Sequence, residues 1–121
     1  LDAHSCALGK AMLAHKSYEE LKEIYKSYSL HKHTNSTITT LDKLYIEIKK
    51  IRSLGYSLNE AETFDYVYGL GAAILDSKKR AIAGISISGT KGSINIKTIP
   101  YLAERVMAAS KEISLKLLSN D

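Results

Sequence analysis

The sequence predicts a mixed α/β (α+β) domain that combines one antiparallel β-hairpin with three or four helices. The hairpin covers Asp65–Gly89, where an apolar arm and an alternating arm flank a polar turn. Isoleucine and serine alternate in the second arm, over Ile85–Ser88. Because successive strand side chains point to opposite faces, we expect the two isoleucines to face a core and the two serines to face a polar feature or water. Amphipathic stretches on either side of the hairpin have the apolar spacing of helices.

Length and composition limit the possible classes of protein. The chain has 121 residues, 45% hydrophobic and 25% charged, which suits one globular domain with a real core. Its net charge of +4 is scattered and no stripe pairs basic with aromatic residues, so nothing argues for nucleic-acid binding by this segment. The one cysteine, Cys6, excludes an internal disulfide and suits a cytoplasmic location. No apolar run approaches the roughly 20 residues of a membrane span, and we expect no membrane partner.

Two helices are predicted in the first part of the chain. His4–His15 has small and apolar residues at helical spacing. Gly9 within it either permits the close approach of a backbone or ligand, or is simply tolerated near a helix end. Ser17–Glu20 has the capping-box pattern, which predicts that a second helix follows over Tyr18–Tyr28.

A third helix is predicted over Leu41–Leu54, with Thr40 as its N-cap and Gly55 as its left-handed C-terminal residue. A short strand is expected at Tyr56–Leu58. The acidic stretch Asn59–Glu62 then reads as a polar turn or a single helical turn, although its two glutamates could also be paired carboxylates.

A long final helix is predicted after the hairpin. Thr90–Lys97 reads as a loop, Thr98 as the N-cap, and Pro100 falls in the first turn, where its missing N–H does no harm. The helix is expected to end near Leu118. Two or three strands make a thin sheet, and the chain does not begin with Met, so we expect further strands upstream in a longer protein.

The sequence contains only weak indications of metal binding or catalysis. His31 and His33 would point the same way from an extended link, and Cys6 is the only further ligand in view. We therefore predict no metal site and no cofactor. Gly84–Ser88 and Ser88–Lys91 match serine-nucleophile motifs only in part, without recognisable histidine partners, so we predict that the protein is not an enzyme.

A binding site is the better chemical interpretation. Ser86 and Ser88 are two hydroxyl donors on the same strand face. The predicted helix around Leu8 and Gly9 offers backbone N–H groups that suit an anion. If these parts converge, they form a cradle for a carboxylate.

Five motifs, in order and at matching spacing, resemble IclR-type transcriptional regulators. The segment His4–Ala14 resembles the pattern H-x-x-x-x-G-K-x-x-L-A. Thr34–Ile38 resembles T-x-x-T-[IL], and Arg52–Ser57 resembles R-x-x-G-[YF]-[AS]. Asn59–Glu62 occupies the position of an acidic turn, and Ile85–Gly89 resembles the strand [IVL]-S-[IVL]-S-G. Together these motifs cover essentially the whole chain.

The resemblance implies that residues 1–121 form a single, partial effector-binding domain. Such a domain is GAF-like, with a curved antiparallel sheet flanked by helices, and it binds a small keto acid, sugar acid or aromatic acid. An N-terminal winged helix-turn-helix, absent from this chain, would contact DNA. The effector domains of this family also form homodimers or homotetramers.

The resemblance also implies the ligand-binding positions: backbone groups, hydroxyl donors, an apolar wall and two variable positions. The backbone groups are those of Ala7 and Leu8, and the hydroxyl donors are Ser86 and Ser88. Leu1 and Val67 form the apolar wall, and Asn59 and Gly69 are the two variable positions. A family member that binds a very small keto acid has an acidic residue in place of Asn59 and a cysteine in place of Gly69. We therefore expect a roomier, less acidic pocket and a larger acid. Alternatively, the domain serves oligomerisation with an empty pocket; a small serine hydrolase is the third alternative.

Overall fold

The computed structural model describes residues 2–119, which form a three-stranded antiparallel sheet and four α-helices. A 3₁₀ turn at Ala3–Ser5 precedes the first helix. In chain order the elements are α1 (Ala7–Leu13), α2 (Tyr18–Ser27), α3 (Leu41–Leu54), β1 (Ser57–Glu60), β2 (Tyr68–Leu75), β3 (Ala81–Gly89) and α4 (Ile99–Ser119). The mixed α+β class predicted from the sequence is confirmed.

The predicted caps of α2 and α3 are confirmed. The Ser17 hydroxyl accepts a hydrogen bond from the Glu20 N–H at 3.1 Å, and the Glu20 carboxylate accepts one from the Ser17 N–H at 2.9 Å. The Thr40 hydroxyl accepts from the N–H of Lys43 at 3.3 Å. Gly55 ends α3 with φ at +88°, a left-handed conformation that glycine adopts without a Cβ clash.

The predicted start of the first helix at His4 is wrong. Cys6 is extended, with φ −131° and ψ 155°, so α1 begins only at Ala7. The Cys6 sulfur acts as the cap, accepting a hydrogen bond from the Gly9 N–H at 3.4 Å. A cysteine is not among the usual N-cap residues, which is why the sequence pattern placed the boundary too early.

Two other predicted boundaries need correction. Asn59 and Glu60 belong to β1 rather than to a turn, because each pairs with a residue of β2. The Thr98 hydroxyl does not cap α4. It donates to the carbonyl oxygen of Ser93 at 2.8 Å and accepts from the Asn95 N–H at 3.0 Å, so it closes the loop before the helix.

The sheet has the order β1-β2-β3, and its two faces differ in chemistry. The register aligns Asn59, Gly69 and Ser88 in one row across the three strands, and Ser57, Gly71 and Ser86 in another. These two rows lie on one face. The intervening row, Leu58, Leu70 and Ile87, lies on the other face and is apolar.

Helix α4 covers the apolar face. Ile85 and Ile87 pack there against buried side chains, as the alternation predicted. The buried members of this cluster are Leu70, Ala72, Ile94, Ala103 and Val106. The Ser114 hydroxyl also donates to the carbonyl oxygen of Leu75 at 2.7 Å, which ties α4 to the end of β2. Among residues 2–119, no helix is both long enough and apolar enough to cross a membrane.

Helix α1 lies on the opposite face of the sheet, and α2 and α3 pack around its far side. A second buried cluster joins these three helices; its members are Leu13, Ala14, Leu21, Leu44, Ile48 and Ile51. Helix α1 therefore lies between the sheet and a helical layer, with α4 beyond the sheet.

Glycine at position 71 allows α1 to approach the sheet. A Cβ atom on Gly71 would lie 2.8 Å from the carbonyl oxygen of Ala7, closer than real Cβ contacts. Ser57 is its neighbour in the register and donates its hydroxyl to the same carbonyl oxygen. The first turn of α1 is thus held directly against the sheet backbone.

We expect Gly71→Ala to lower the free energy of unfolding by about 1–3 kcal/mol, because its methyl group would push the first turn of α1 off the sheet. Urea denaturation measures the change. Gly92→Ala is the matched control, since a Cβ there would meet only the Thr90 hydroxyl, at 3.7 Å. Equal stability of the two variants would contradict the prediction.

Candidate functional site

A cavity of about 480 Å³ lies between the first turn of α1 and the polar face of the sheet. Its walls come from α1, the three strands and the connection between β1 and β2. The lining residues are Ala3, Cys6, Ala7, Leu8, Gly9, Met12, Asn59, Thr63, Phe64, Val67, Gly69, Ser86 and Ser88. Seven of the eight positions predicted for ligand binding are in this set, and Leu1 lies outside the described residues.

The strand register brings the predicted polar residues together. Gly69 lies between Asn59 on β1 and Ser88 on β3. Because Gly69 has no side chain, nothing on the central strand separates the two polar ones. Ser86 lies two residues before Ser88 and therefore on the same face. Both serines are exposed, so their hydroxyl groups are open to the cavity.

Asn59 is buried, with 4% of its surface exposed. Its Oδ1 accepts a hydrogen bond from the backbone N–H of Glu62 at 2.9 Å. A backbone N–H can only donate, so the side-chain atom facing it is the oxygen. The amide nitrogen, Nδ2, is therefore the group of Asn59 that can donate to a ligand in the cavity.

Several lining residues were missed at the sequence level. Thr63 and Phe64 belong to the irregular connection between β1 and β2, where no periodicity marks a wall. Thr63 is held by donating its hydroxyl to the carbonyl oxygen of Ser5. The ring of Phe64 is half exposed and stacks on Tyr66, with centroids 5.9 Å apart. Met12 follows Leu8 by four residues, so helical spacing could have identified it.

Lys10 forms a buried charge cluster behind the cavity. Its side chain is fully buried, and its Nζ donates to Glu47 Oε2 at 2.9 Å, to the carbonyl oxygen of Leu58 at 2.7 Å and to Glu62 Oε2 at 3.1 Å. Glu62 Oε1 is nearer, at 2.8 Å, but lacks hydrogen-bond geometry and contributes only charge attraction. The three N–H groups of Lys10 thus join α1, α3 and β1.

Glu62, predicted to lie in a polar turn, is a buried partner of Lys10. Burial raises the pKa of its carboxyl, and the ammonium of Lys10 partly opposes that effect. The spacing of Lys10 and Glu62 along the chain did not predict their ion pair, because the pair forms only when α1 packs over β1.

The histidines are arranged differently from the prediction. Cys6, His31 and His33 do not form a group of potential metal ligands. Among residues 2–119, the group that comes together is Asp2, His4 and His33, with one potential ligand atom from each within 4.8 Å of the others. No sequence pattern links Asp2 and His4 to His33, because the three side chains meet only through tertiary packing.

The comparisons with known proteins identify the class and the family. Residues 1–115 match the family described as bacterial transcriptional regulator IclR C-terminal. The regulator BhcR of Paracoccus denitrificans is 31% identical over 111 residues, which cover 92% of this chain and 40% of BhcR. Relatives of this kind are bacterial transcriptional regulators. The chain belongs to the family of IclR C-terminal domains, which are effector-binding domains, and the resemblance noted above is confirmed.

Solved structures agree in fold. The IclR protein of Thermotoga maritima has a TM-score of 0.90 and 34% identity, covering 97% of this chain and 47% of that one. A double mutant of the PobR inducer-binding domain from Acinetobacter has a TM-score of 0.86 and 20% identity. The match covers 94% of this chain and 66% of the PobR chain. At that identity the likeness to PobR shows the fold alone. The chain spans less than half the length of BhcR and of the Thermotoga protein.

We expect Lys10→Met to lower the free energy of unfolding by about 3–5 kcal/mol at neutral pH, because it leaves Glu62 buried without its cation. Without Lys10, the folded-state pKa of Glu62 rises further above the unfolded value. Stability of the variant is then lost as pH rises through that folded-state pKa, so the loss is larger at pH 8 than at pH 5. Denaturant unfolding at both pH values measures it.

Two further variants test this explanation. Adding Glu62→Gln should recover part of the loss and remove its pH dependence, since no buried carboxylate remains to titrate. Lys22→Met, at an exposed position of α2, should change stability by no more than about 0.5 kcal/mol. A loss in Lys10→Met that does not vary with pH would contradict the role assigned to Glu62.

Proposed function

We propose that the cavity binds a small carboxylic acid and that its occupancy regulates DNA binding by the protein that carries this chain. The observation that carries the proposal is the chemistry of the lining. The hydroxyls of Ser86 and Ser88 and the amide nitrogen of Asn59 can all donate hydrogen bonds. A carboxylate accepts several at once, and bonds to an ionised acceptor are the stronger kind.

Among the described residues that line the cavity, none has a charged side chain. A bound carboxylate would therefore be held by neutral donors rather than by an arginine or lysine. The backbone of Ala7 and Leu8 borders the same space and adds N–H groups from the first turn of α1. Val67 and Phe64 would contact the apolar body of the ligand.

The size of the cavity favours an aromatic or similarly bulky acid over a two- or three-carbon keto acid. Its volume of about 480 Å³ falls in the roughly 300–1,000 Å³ range of small-molecule sites. Gly69 adds no side chain to the floor, and Phe64 offers an aromatic surface. The PobR domain, which is similar in fold, was solved as a complex of a double mutant with 3-hydroxybenzoic acid, so this fold accommodates such an acid in one protein.

The regulatory mechanism we propose is a shift in population. An effector that binds one arrangement of the protein more tightly favours that arrangement and so changes its affinity for DNA. DNA contact would come from a winged helix-turn-helix outside residues 1–121, in a cytoplasmic homodimer or homotetramer. A ligand-free oligomerisation domain is the competing proposal.

A thermal-shift screen against small carboxylic acids tests the site. Binding to the folded state raises the melting temperature by mass action, by RT ln(1 + [L]/Kd) in free energy. We expect 3-hydroxybenzoate or a related aromatic acid to stabilise the wild type and to lose its effect in the double variant Ser86→Ala/Ser88→Ala. The matched control is Ser53→Ala/Ser77→Ala, which removes two exposed hydroxyls away from the cavity.

Three outcomes would count against the proposal. Equal stabilisation of the wild type and the cavity double variant would place the ligand elsewhere. Tight binding of glyoxylate or pyruvate, with no response to larger acids, would reject the size argument. If no acid shifts the melting temperature of any of the proteins, the oligomerisation role is favoured instead.

A further inference from the structure

We propose that Asp2, His4 and His33 form a binding site for a divalent transition-metal ion, with zinc as the preferred ion. One potential ligand atom from each residue lies within 4.8 Å of the other two. Ligand atoms at zinc–nitrogen distances of about 2.0–2.1 Å lie roughly 3.4 Å apart around a tetrahedral ion. The separation of the three potential donors, at most 4.8 Å, is therefore close to what one bound ion requires. Two imidazoles and one carboxylate are a donor set that zinc accepts.

His4 has the surroundings of a metal ligand. It is 1% exposed, and its Nε2 lies 2.8 Å from the carbonyl oxygen of His31. A carbonyl oxygen only accepts, so Nε2 carries the proton, and in the neutral ring the lone pair is on Nδ1. Metal-binding histidines commonly donate their second nitrogen to a backbone carbonyl, which fixes both the tautomer and the ring orientation.

The other two ligands are already in contact. The Nε2 atom of His33 lies 2.8 Å from Oδ2 of Asp2, and both side chains remain partly open to solvent. A carboxylate oxygen beside an imidazole nitrogen is a pair of ligand types that zinc accepts. Open access on this side leaves the remaining coordination positions to water.

The segment that carries His33 is fixed by hydrogen bonds. The Thr37 hydroxyl accepts from the N–H groups of His33 at 3.0 Å and Thr34 at 2.9 Å. The same hydroxyl donates to the carbonyl oxygen of Glu62 at 2.7 Å. His33 is therefore presented from an ordered link between α2 and α3, while Asp2 and His4 belong to the start of the chain.

A metal ion at this position would join His33 to residues that precede it by 29 or more positions in the sequence. It would hold the 3₁₀ turn at Ala3–Ser5 against the link between α2 and α3. Ala3 lies between two of the ligands and also lines the cavity, so the ion would brace one cavity wall. The site does not depend on the identity of any effector.

Cobalt titration of the protein, stripped of metal with EDTA, tests the assignment. Co²⁺ reports coordination through its visible absorption, and zinc should displace it. We expect one ion per chain and no thiolate-to-cobalt charge-transfer band, because Cys6 is not a ligand. Asp2→Asn and His33→Ala should each weaken binding at least about 10- to 100-fold, since loss of an outer-shell partner alone has effects of that size. Neither variant changes a fully buried side chain.

His31→Ala is the matched control, because it removes a neighbouring imidazole but keeps the backbone carbonyl that accepts from His4. It should change cobalt affinity no more than a few-fold. The proposal is overturned if the stripped protein binds neither cobalt nor zinc, which would leave Asp2 and His33 as an ion pair only. It is also overturned if Asp2→Asn and His33→Ala bind as the wild type does, if His31→Ala is equally damaging, or if a thiolate charge-transfer band appears.

Discussion

The position of α1 over the sheet depends on one buried ammonium group, that of Lys10. Burying a charge costs several kcal/mol, and the three hydrogen bonds of its Nζ group to Glu47, Leu58 and Glu62 offset that cost. All three N–H groups are satisfied only when α1, α3 and β1 hold one mutual arrangement. The cluster therefore specifies one packing arrangement: it fixes where the first turn of α1 lies, and that turn forms one wall of the cavity.

One face of the sheet contributes to the apolar core, and the other face borders the cavity. The row of Leu58, Leu70 and Ile87 packs into the apolar cluster under α4, with Leu70 fully buried and the other two partly buried. The rows on the opposite face are too small or too polar to form such a core. Gly71 lets the α1 backbone approach, and Ser86 and Ser88 keep their hydroxyls open to the cavity. The cavity lies beside the point where the first turn of α1 packs against the sheet backbone at Gly71.

Local signals in the sequence predicted most of the fold, because each cap or alternating strand depends on neighbouring residues. The capping box at Ser17, the left-handed Gly55 and the alternation at Ile85–Ser88 are of this kind. Local signals did not predict the pairs Lys10–Glu62 and Asp2–His33, because each pair meets only through tertiary packing. The family motifs supplied seven cavity residues, but no periodicity marked the irregular wall at Thr63 and Phe64.

A chain of hydrogen bonds connects the proposed effector site with the proposed metal site. Asn59 borders the cavity and accepts from the Glu62 N–H; the Glu62 carbonyl accepts from Thr37, which in turn accepts from the His33 N–H. Both proposed ligands would therefore contact residues that belong to one chain of hydrogen bonds. If binding of one ligand changes the affinity for the other, linkage requires the change to be equal in both directions.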